Sequence, residues 1–237
     1  MKRLRKKSIL DAQSLNGCAE NWVVPPGLTP DTASQSGAEK NVSELASAPA
    51  LLANSISCTG ADTCKLGICL SKGALRAIST GLTESALDLD QIPEFKLHLS
   101  GCPNTCGQHM LADLGFYGQV GRKNQRMFAA YGVVAGAVVS VGESRLARSI
   151  GRVSARDLPR FVCEVLKIWT QKKSRFHSFA AYVDAEGAED IKNICERYRN
   201  IPDFEEDSSY FFDWGASELT LSGGSDRNYL RTARFPL

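Results

Sequence analysis

Between residues 95 and 141 the chain alternates apolar and polar positions in short runs, and from residue 158 apolar positions recur at three- and four-residue intervals. Phe95-Lys96-Leu97-His98-Leu99 has the period of two that marks a half-buried strand. Asp113 to Val120 and Met127 to Val134 are two further strand candidates, set either side of a polar turn, Gly121-Arg122-Lys123-Asn124. Val138 to Val141 is a fourth. Leu70 to Leu89 suits a helix through Leu75, Ile78 and Leu82, although Gly81 and Thr83 weaken it.

The clearest helix lies further on. Leu158, Phe161, Val162, Val165, Ile168 and Trp169 fall on one helical face, and Lys172-Lys173 complement the C-terminal end of the dipole. Ser154-Ala155-Arg156-Asp157 just before it resembles a capping box, with Asp in place of Glu or Gln. A second helical stretch runs from about Ser178 to Arg199, where Ile191, Ile194, Cys195 and Tyr198 share a face. Strands followed by helices predict an α+β fold, a mixed sheet flanked by helices.

Outside this zone the periods fade. Residues 1–48 mix a basic cluster, Pro25-Pro26-Gly27 and Ser/Thr/Gly/Ala tracts, with Trp22-Val23-Val24 as an apolar patch. They are expected to form a disordered tail or linker. The compact domain is then 49–175, followed over 176–237 by a helical appendage and an extended C-terminal arm bearing Tyr210, Phe211, Phe212 and Trp214.

Composition narrows the function classes. With 43% apolar and 23% charged residues the chain is that of an ordinary globular protein. Lys+Arg 28 against Asp+Glu 26 leaves no basic excess, which argues against a nucleic-acid partner. No apolar run approaches the roughly 18 residues of a membrane span. Met1-Lys2-Arg3-Leu4-Arg5-Lys6-Lys7 has a signal-like charge, but only Ile9 and Leu10 follow before Asp11, short of the apolar stretch of about 7–15 residues that a signal peptide needs. The expected setting is cytoplasmic, with no membrane. Eight cysteines there read as metal ligands and core thiols rather than as disulfides.

Cys163 and Cys195 belong to apolar helix faces, and Cys18 reads as a surface thiol. Cys69, five positions after Cys64, falls on the helical side of the loop, away from the other thiols. Two pairs remain. Cys58 and Cys64 have five residues between them, and Cys102 and Cys106 have three. Both pairs sit in loops of small and polar residues, Cys58-Thr59-Gly60-Ala61-Asp62-Thr63-Cys64 and Gly101-Cys102-Pro103-Asn104-Thr105-Cys106-Gly107. Such loops let thiolates converge and turn backbone N–H groups toward sulfur. A zinc ion on four cysteines is the alternative, but zinc pairs usually span two to four residues. Spacing favours an iron–sulfur cluster and leaves zinc open.

Ser100-Gly101-Cys102-Pro103-Asn104-Thr105-Cys106-Gly107-Gln108-His109-Met110-Leu111-Ala112-Asp113-Leu114-Gly115-Phe116 resembles the signature of the sirohaem-dependent nitrite/sulfite reductase family. That signature is Gly-Cys, three residues, Cys, six residues, an acidic residue, then apolar–small–apolar. The upstream pair with its five-residue gap fits the same family, and the resemblance covers about Ser55 to Tyr182, more loosely Asp213-Trp214-Gly215. It implies that Cys58, Cys64, Cys102 and Cys106 ligate a [4Fe–4S] cluster, with Cys106 bridging to the iron of a sirohaem and Asn104 near that cofactor. It implies a nitrite/sulfite reductase 4Fe–4S domain-like fold, in which electrons from a ferredoxin-like or flavoprotein donor serve six-electron reduction of a small anion, sulfite or nitrite.

Family members are longer and internally duplicated, and their preceding half supplies much of the sirohaem cage and the basic groups that grip the anion. The expectation is therefore an oxidoreductase portion that works with a partner chain supplying the missing half. A non-catalytic iron–sulfur electron-transfer module or a truncated gene product is the alternative. Arg122, Lys123 and Arg126 are basic neighbours that a solvated turn explains equally well. His109 reads as packing or as a hydrogen bond behind the ligands. No catalytic side chain is assigned.

Overall fold

A computed structural model describes residues 49–217 and 219. The expected disordered segment 1–48 lies outside the described residues, as does Cys18. A short helix α1 (Ala50–Ala53) leads into β1 (Ile56–Ser57), then helix α2 (Ser71–Glu84) and strand β2 (Leu97–Ser100). A long hairpin follows, β3 (Leu114–Lys123) and β4 (Arg126–Ala135), then a small one, β5 (Val138–Ser140) and β6 (Glu143–Arg145), and strand β7 (Arg148–Ser154). Helix α3 (Leu158–Lys172), α4 (Phe179–Tyr182), a π-turn (Val183–Gly187) and α5 (Ala188–Arg197) complete the regular structure.

The sheet is mixed, as expected, in the order β1-β2-β3-β4-β7. Its first three strands are parallel and the rest antiparallel. Parallel pairing needs a crossover, and α2 supplies the one between β1 and β2. Both cysteine loops therefore leave the same end of neighbouring parallel strands, Cys58 directly after β1 and Cys102 just after β2.

Alternation sorts β4 cleanly. Ala129, Tyr131, Val133 and Ala135 join the main core with α2 and α3, whereas Phe128 and Ala130 face a second cluster with Ile201 and Phe211. Leu97, Leu99, Leu114 and Phe116 are fully buried on the helix side, each worth about 1.5–3 kcal/mol of transfer free energy. Phe116 meets Phe161 of α3 edge-on, with ring centres 6.0 Å apart. Phe179, Tyr182, Ile191 and Ile194 extend the same core beyond Trp169 of α3.

Several local expectations shift. The turn expected over Gly121–Asn124 contracts to Asn124-Gln125, both in the left-handed region with φ of 45° and 64°. Two left-handed residues form the turn whose twist suits a tight hairpin. Arg122 and Lys123 stay in β3 because its end is solvated and accepts polar side chains. Lys123 pairs with Asp203 at 3.5 Å, and Arg126 stacks over Phe204 at 4.1 Å. Val138–Ser140 is a strand, but in a separate hairpin with β6. The Ser154 hydroxyl accepts from the Asp157 N–H at 3.0 Å, which is half of a capping box. It also donates to the Asp157 carboxylate at 2.6 Å, so the reciprocal side-chain bond is replaced.

Candidate functional site: two interlocked cysteine loops

The first loop is held by its own turns. Cys58 N–H donates to Leu99 O at 3.1 Å, continuing the β1–β2 ladder, and Cys64 N–H donates to Gly60 O at 3.0 Å. The Ala61 N–H reaches Cys69 O at 2.9 Å, tying the loop to the start of α2. The second loop meets that same segment. Gly101 O accepts from both Ile68 N–H (2.8 Å) and Cys69 N–H (2.9 Å). Gly101 also explains its own identity: a Cβ there would lie 2.6 Å from Gly60 Cα and 2.7 Å from Cys69 O. Any side chain at Gly101 would push the loops apart.

Cys58 is half-buried, and two backbone donors and one hydroxyl surround its sulfur. Gly60 N–H lies at 3.3 Å, Gly101 N–H at 3.1 Å and the Ser71 hydroxyl at 3.4 Å. Backbone N–H groups aimed at sulfur offset the charge of a thiolate, which is how proteins tune iron–sulfur ligands. Cys64 is half-buried, Cys102 buried and Cys106 exposed. The Cys106 thiol faces Asn104 O at 3.8 Å, and Asn104 itself is exposed in the same loop. All described cysteines are free thiols. Among the described residues no three His, Cys, Asp or Glu side chains are gathered closely enough to hold a single metal ion. Structure thus sets the Cys58 sulfur against the residue preceding Cys102, and leaves Cys64 half-buried and Cys106 exposed.

Behind the second loop lies a small polar network. Gly107 N–H donates to the Ser100 hydroxyl at 3.0 Å, and His109 Nδ1 lies 2.8 Å from the same oxygen. His109 is buried and stacks on Tyr117, with ring centres 5.1 Å apart. Burial lowers its pKa from the usual value near 6.5. His98 Nδ1 lies 3.1 Å from Gln108 O; a carbonyl only accepts, so this nitrogen carries the proton. Thr105 and Gln108 both adopt positive φ, 60° and 56°, which bends the loop back toward Ser100.

Cys69 is set apart from the other four. It is fully buried, and its thiol donates to Gln119 O and Ala130 O at 3.6 and 3.5 Å. Burial, reinforced by Asp213, raises its pKa well above the ordinary thiol value and keeps it protonated. Asp213 is itself buried, which pushes its carboxyl up to about 6, against the pull of the Leu70 and Trp214 N–H groups. Sequence reasoning gave no role to Ser71, Ser100 or Asp213. Ser71 and Ser100 adjoin the cysteine segments and were readable there; Asp213 was marked only by the looser Asp213-Trp214-Gly215 resemblance, which did not tie it to the cysteine loops. A cleft of about 890 Å³ opens beside the second loop, lined by Lys96, His98, Gln108, Asp113 and Lys173. No cysteine lines it.

Comparison with known proteins decides the family. The sequence model of the nitrite and sulphite reductase 4Fe-4S domain matches residues 50–202, well over half of the chain. The chain belongs to that family. Among relatives, the assimilatory ferredoxin-dependent nitrite reductase of Haloferax mediterranei is 26% identical over 141 residues, 60% of this chain and 24% of that one. The ferredoxin–nitrite reductase of Synechococcus elongatus is 31% identical over 130 residues, 54% of this chain and 25% of that one. The sulfite reductase [NADPH] hemoprotein beta-component of Geobacillus thermodenitrificans is 30% identical over 113 residues, 45% of this chain and 20% of that one. The chain thus spans about a quarter of the length of the first of these relatives. The solved structure of Mycobacterium tuberculosis NirA shares the fold at a TM-score of 0.51 and 21% identity, over 58% of this chain and 26% of that one. No helix among the described residues is long and apolar enough to cross a membrane.

Proposed function

We propose that this chain is the cluster-bearing portion of a nitrite or sulfite reductase, holding a [4Fe–4S] cluster on Cys58, Cys64, Cys102 and Cys106. The carrying observation is the Cys58 sulfur, which receives one N–H from its own loop and one from Gly101 of the other. A bare thiol gains little from two such donors, whereas a ligating thiolate gains much. Family membership over residues 50–202 supports the same reading. In it, Cys106, the exposed thiol of the four, and Asn104 in the same loop would be the residues that hold a sirohaem next to the cluster. Residues 49–175 form the cofactor domain and the described residues from 176 onward its appendage and arm, in a cytoplasmic setting.

When bound, the two cofactors would accept single electrons and deliver them to an anion, nitrite or sulfite, at the haem iron. The chain's own residues bind and orient. Gly60, Gly101 and Ser71 fix the Cys58 sulfur, and the Ser100–Gly107–His109 network keeps the second loop folded back toward the sheet. A ferredoxin-like or flavoprotein donor and a partner chain supplying the remaining length complete the reading. It is consistent with a chain covering a quarter of its relatives.

Anaerobic purification or reconstitution with iron and sulfide, followed by metal analysis and visible spectroscopy, tests the proposal. The expected result is iron and sulfide in equal amounts, no zinc, and reductant-dependent bleaching. Protein that stays free of iron after reconstitution would overturn it.

A further inference from the structure

The family match ends at residue 202, yet a carboxylate beyond it reaches the frame of the cysteine site. Asp213 is 7% exposed, and both of its oxygens accept backbone N–H groups: Oδ2 from Leu70 at 2.6 Å and Oδ1 from Trp214 at 2.8 Å. Leu70 immediately precedes α2, where helical N–H groups lack partners and the dipole favours negative charge. Trp214 then anchors the arm. Its indole N–H donates to Ala155 O at 2.6 Å, and its carbonyl lies so close over Gly73 that a Cβ there would stand 1.9 Å away.

Residues 68–71 are where both cysteine loops attach. Ile68 and Cys69 give their N–H groups to Gly101 O, and Cys69 O takes the Ala61 N–H. Next in sequence, the Ser71 hydroxyl donates to Cys58 O at 2.8 Å and lies 3.4 Å from the Cys58 sulfur. Holding Leu70 therefore holds the shared footing of both loops.

We propose that Asp213 is a positioning residue for the cysteine site: its carboxylate clamps the carboxy-terminal arm onto Leu70 and so fixes the segment from which both loops hang. Its relevance to a cofactor rests on the four cysteines being cluster ligands, while the clamp itself is a property of the backbone. The chemistry requires a carboxylate. Each oxygen faces an N–H donor, so an amide in its place would set its own NH2 against one of them. Glutamate would carry the right atoms one methylene too far.

Native-state amide exchange on the full chain, without added iron, tests the clamp above pH 7.5. In Asp213→Asn the amides of Ile68, Cys69, Leu70 and Gly101 are expected to exchange roughly tenfold faster or more, as for loss of a charged hydrogen bond, while those of α3 stay unchanged. An Ile194→Val control, on α5 rather than on this segment, should not accelerate residues 68–71 relative to α3. After reconstitution, Asp213→Asn should release iron to a chelator roughly tenfold faster as well, and Ile194→Val at the wild-type rate. Exchange that is unchanged, or that rises equally in α3, overturns the clamp, as does wild-type iron release from a loaded Asp213→Asn protein. Should that variant not fold, the wild-type protein decides. Leu70, Cys69 and Gly101 opening together supports the clamp, and Leu70 opening alone overturns it. Failure of every form to take up iron would remove the ligand reading and leave the exchange result to judge the clamp.

Discussion

The backbone N–H of Gly101 points at the sulfur of Cys58 across 3.1 Å, although the two residues stand 43 positions apart in the chain. Parallel pairing of β1 with β2 makes this contact possible, because it brings both loops out at one end of the sheet. The register follows from topology, and the closeness follows from a residue without a side chain.

Gly101→Ala is accordingly expected to destabilise the fold by about 1–3 kcal/mol, since the added carbon meets backbone on two sides that cannot swing away. It should also lower the iron retained after reconstitution. Gly142→Ala is the comparison: its φ of +87° is strained for alanine, but no atom lies within 4 Å, so about 1 kcal/mol should be lost and iron retained. Urea denaturation with iron analysis reads both. Equal retention by the two variants would remove the role given to the Gly101 contact.

The cysteines should divide four to one. Cys58→Ser, Cys64→Ser, Cys102→Ser and Cys106→Ser are each expected to lose most iron. Cys69→Ala should keep it while losing about 1 kcal/mol of stability, as usual for a small buried truncation. Iron lost from Cys69→Ala and kept by any of the other variants would reassign the ligands.

Burial of His109 gives a pH dependence with a definite sign. The folded state holds the imidazole neutral below its usual pKa, whereas the unfolded chain takes up a proton near 6.5. The stability it contributes is therefore present above about pH 6.5 and lost as pH falls through and below that value. Between pH 7.5 and 5 the wild-type protein should lose stability more steeply than His109→Gln, by up to about 1.4 kcal/mol per pH unit where one extra proton is bound on unfolding. Parallel curves in denaturant titrations would show that His109 carries no such linkage.

Glu164 offers a test of the appendage. Its buried carboxylate receives the Tyr198 hydroxyl at 2.5 Å and pairs with Arg197, whose side chain is 47% exposed. Glu164→Ala should cost about 1–3 kcal/mol, less than for a fully buried pair because solvent screens the arginine. Glu164→Gln should cost less, since its amide oxygen still accepts from Tyr198. The reverse order in thermal or urea unfolding would contradict this.

Much of this was legible in the chain, for identifiable reasons. Helix α3 and the strands around Leu97, Phe116 and Tyr131 follow from regular burial, which leaves regular spacing in the sequence. Strand β7 did not, because the register slips between Val133 and Val134 and its apolar Ile150 and Val153 lose the period of two. Strand β1 is only two residues long and too short to carry a pattern. At the site, the two cysteine pairs and the Gly-Cys step were readable locally. The contact of Asp213 with Leu70 was not, since it spans 143 positions and only tertiary structure joins the two residues.

The backbone-on-backbone packing at Gly101 also bears on how portable such a site is. Transplanting Gly101–Gly107 into another scaffold would carry two thiols but neither the parallel strand pair that aligns them nor the segment 68–71 that receives the Gly101 carbonyl. The smallest transferable unit is discontinuous: two strands, the start of one helix and, with Asp213, a piece of the far end of the polypeptide.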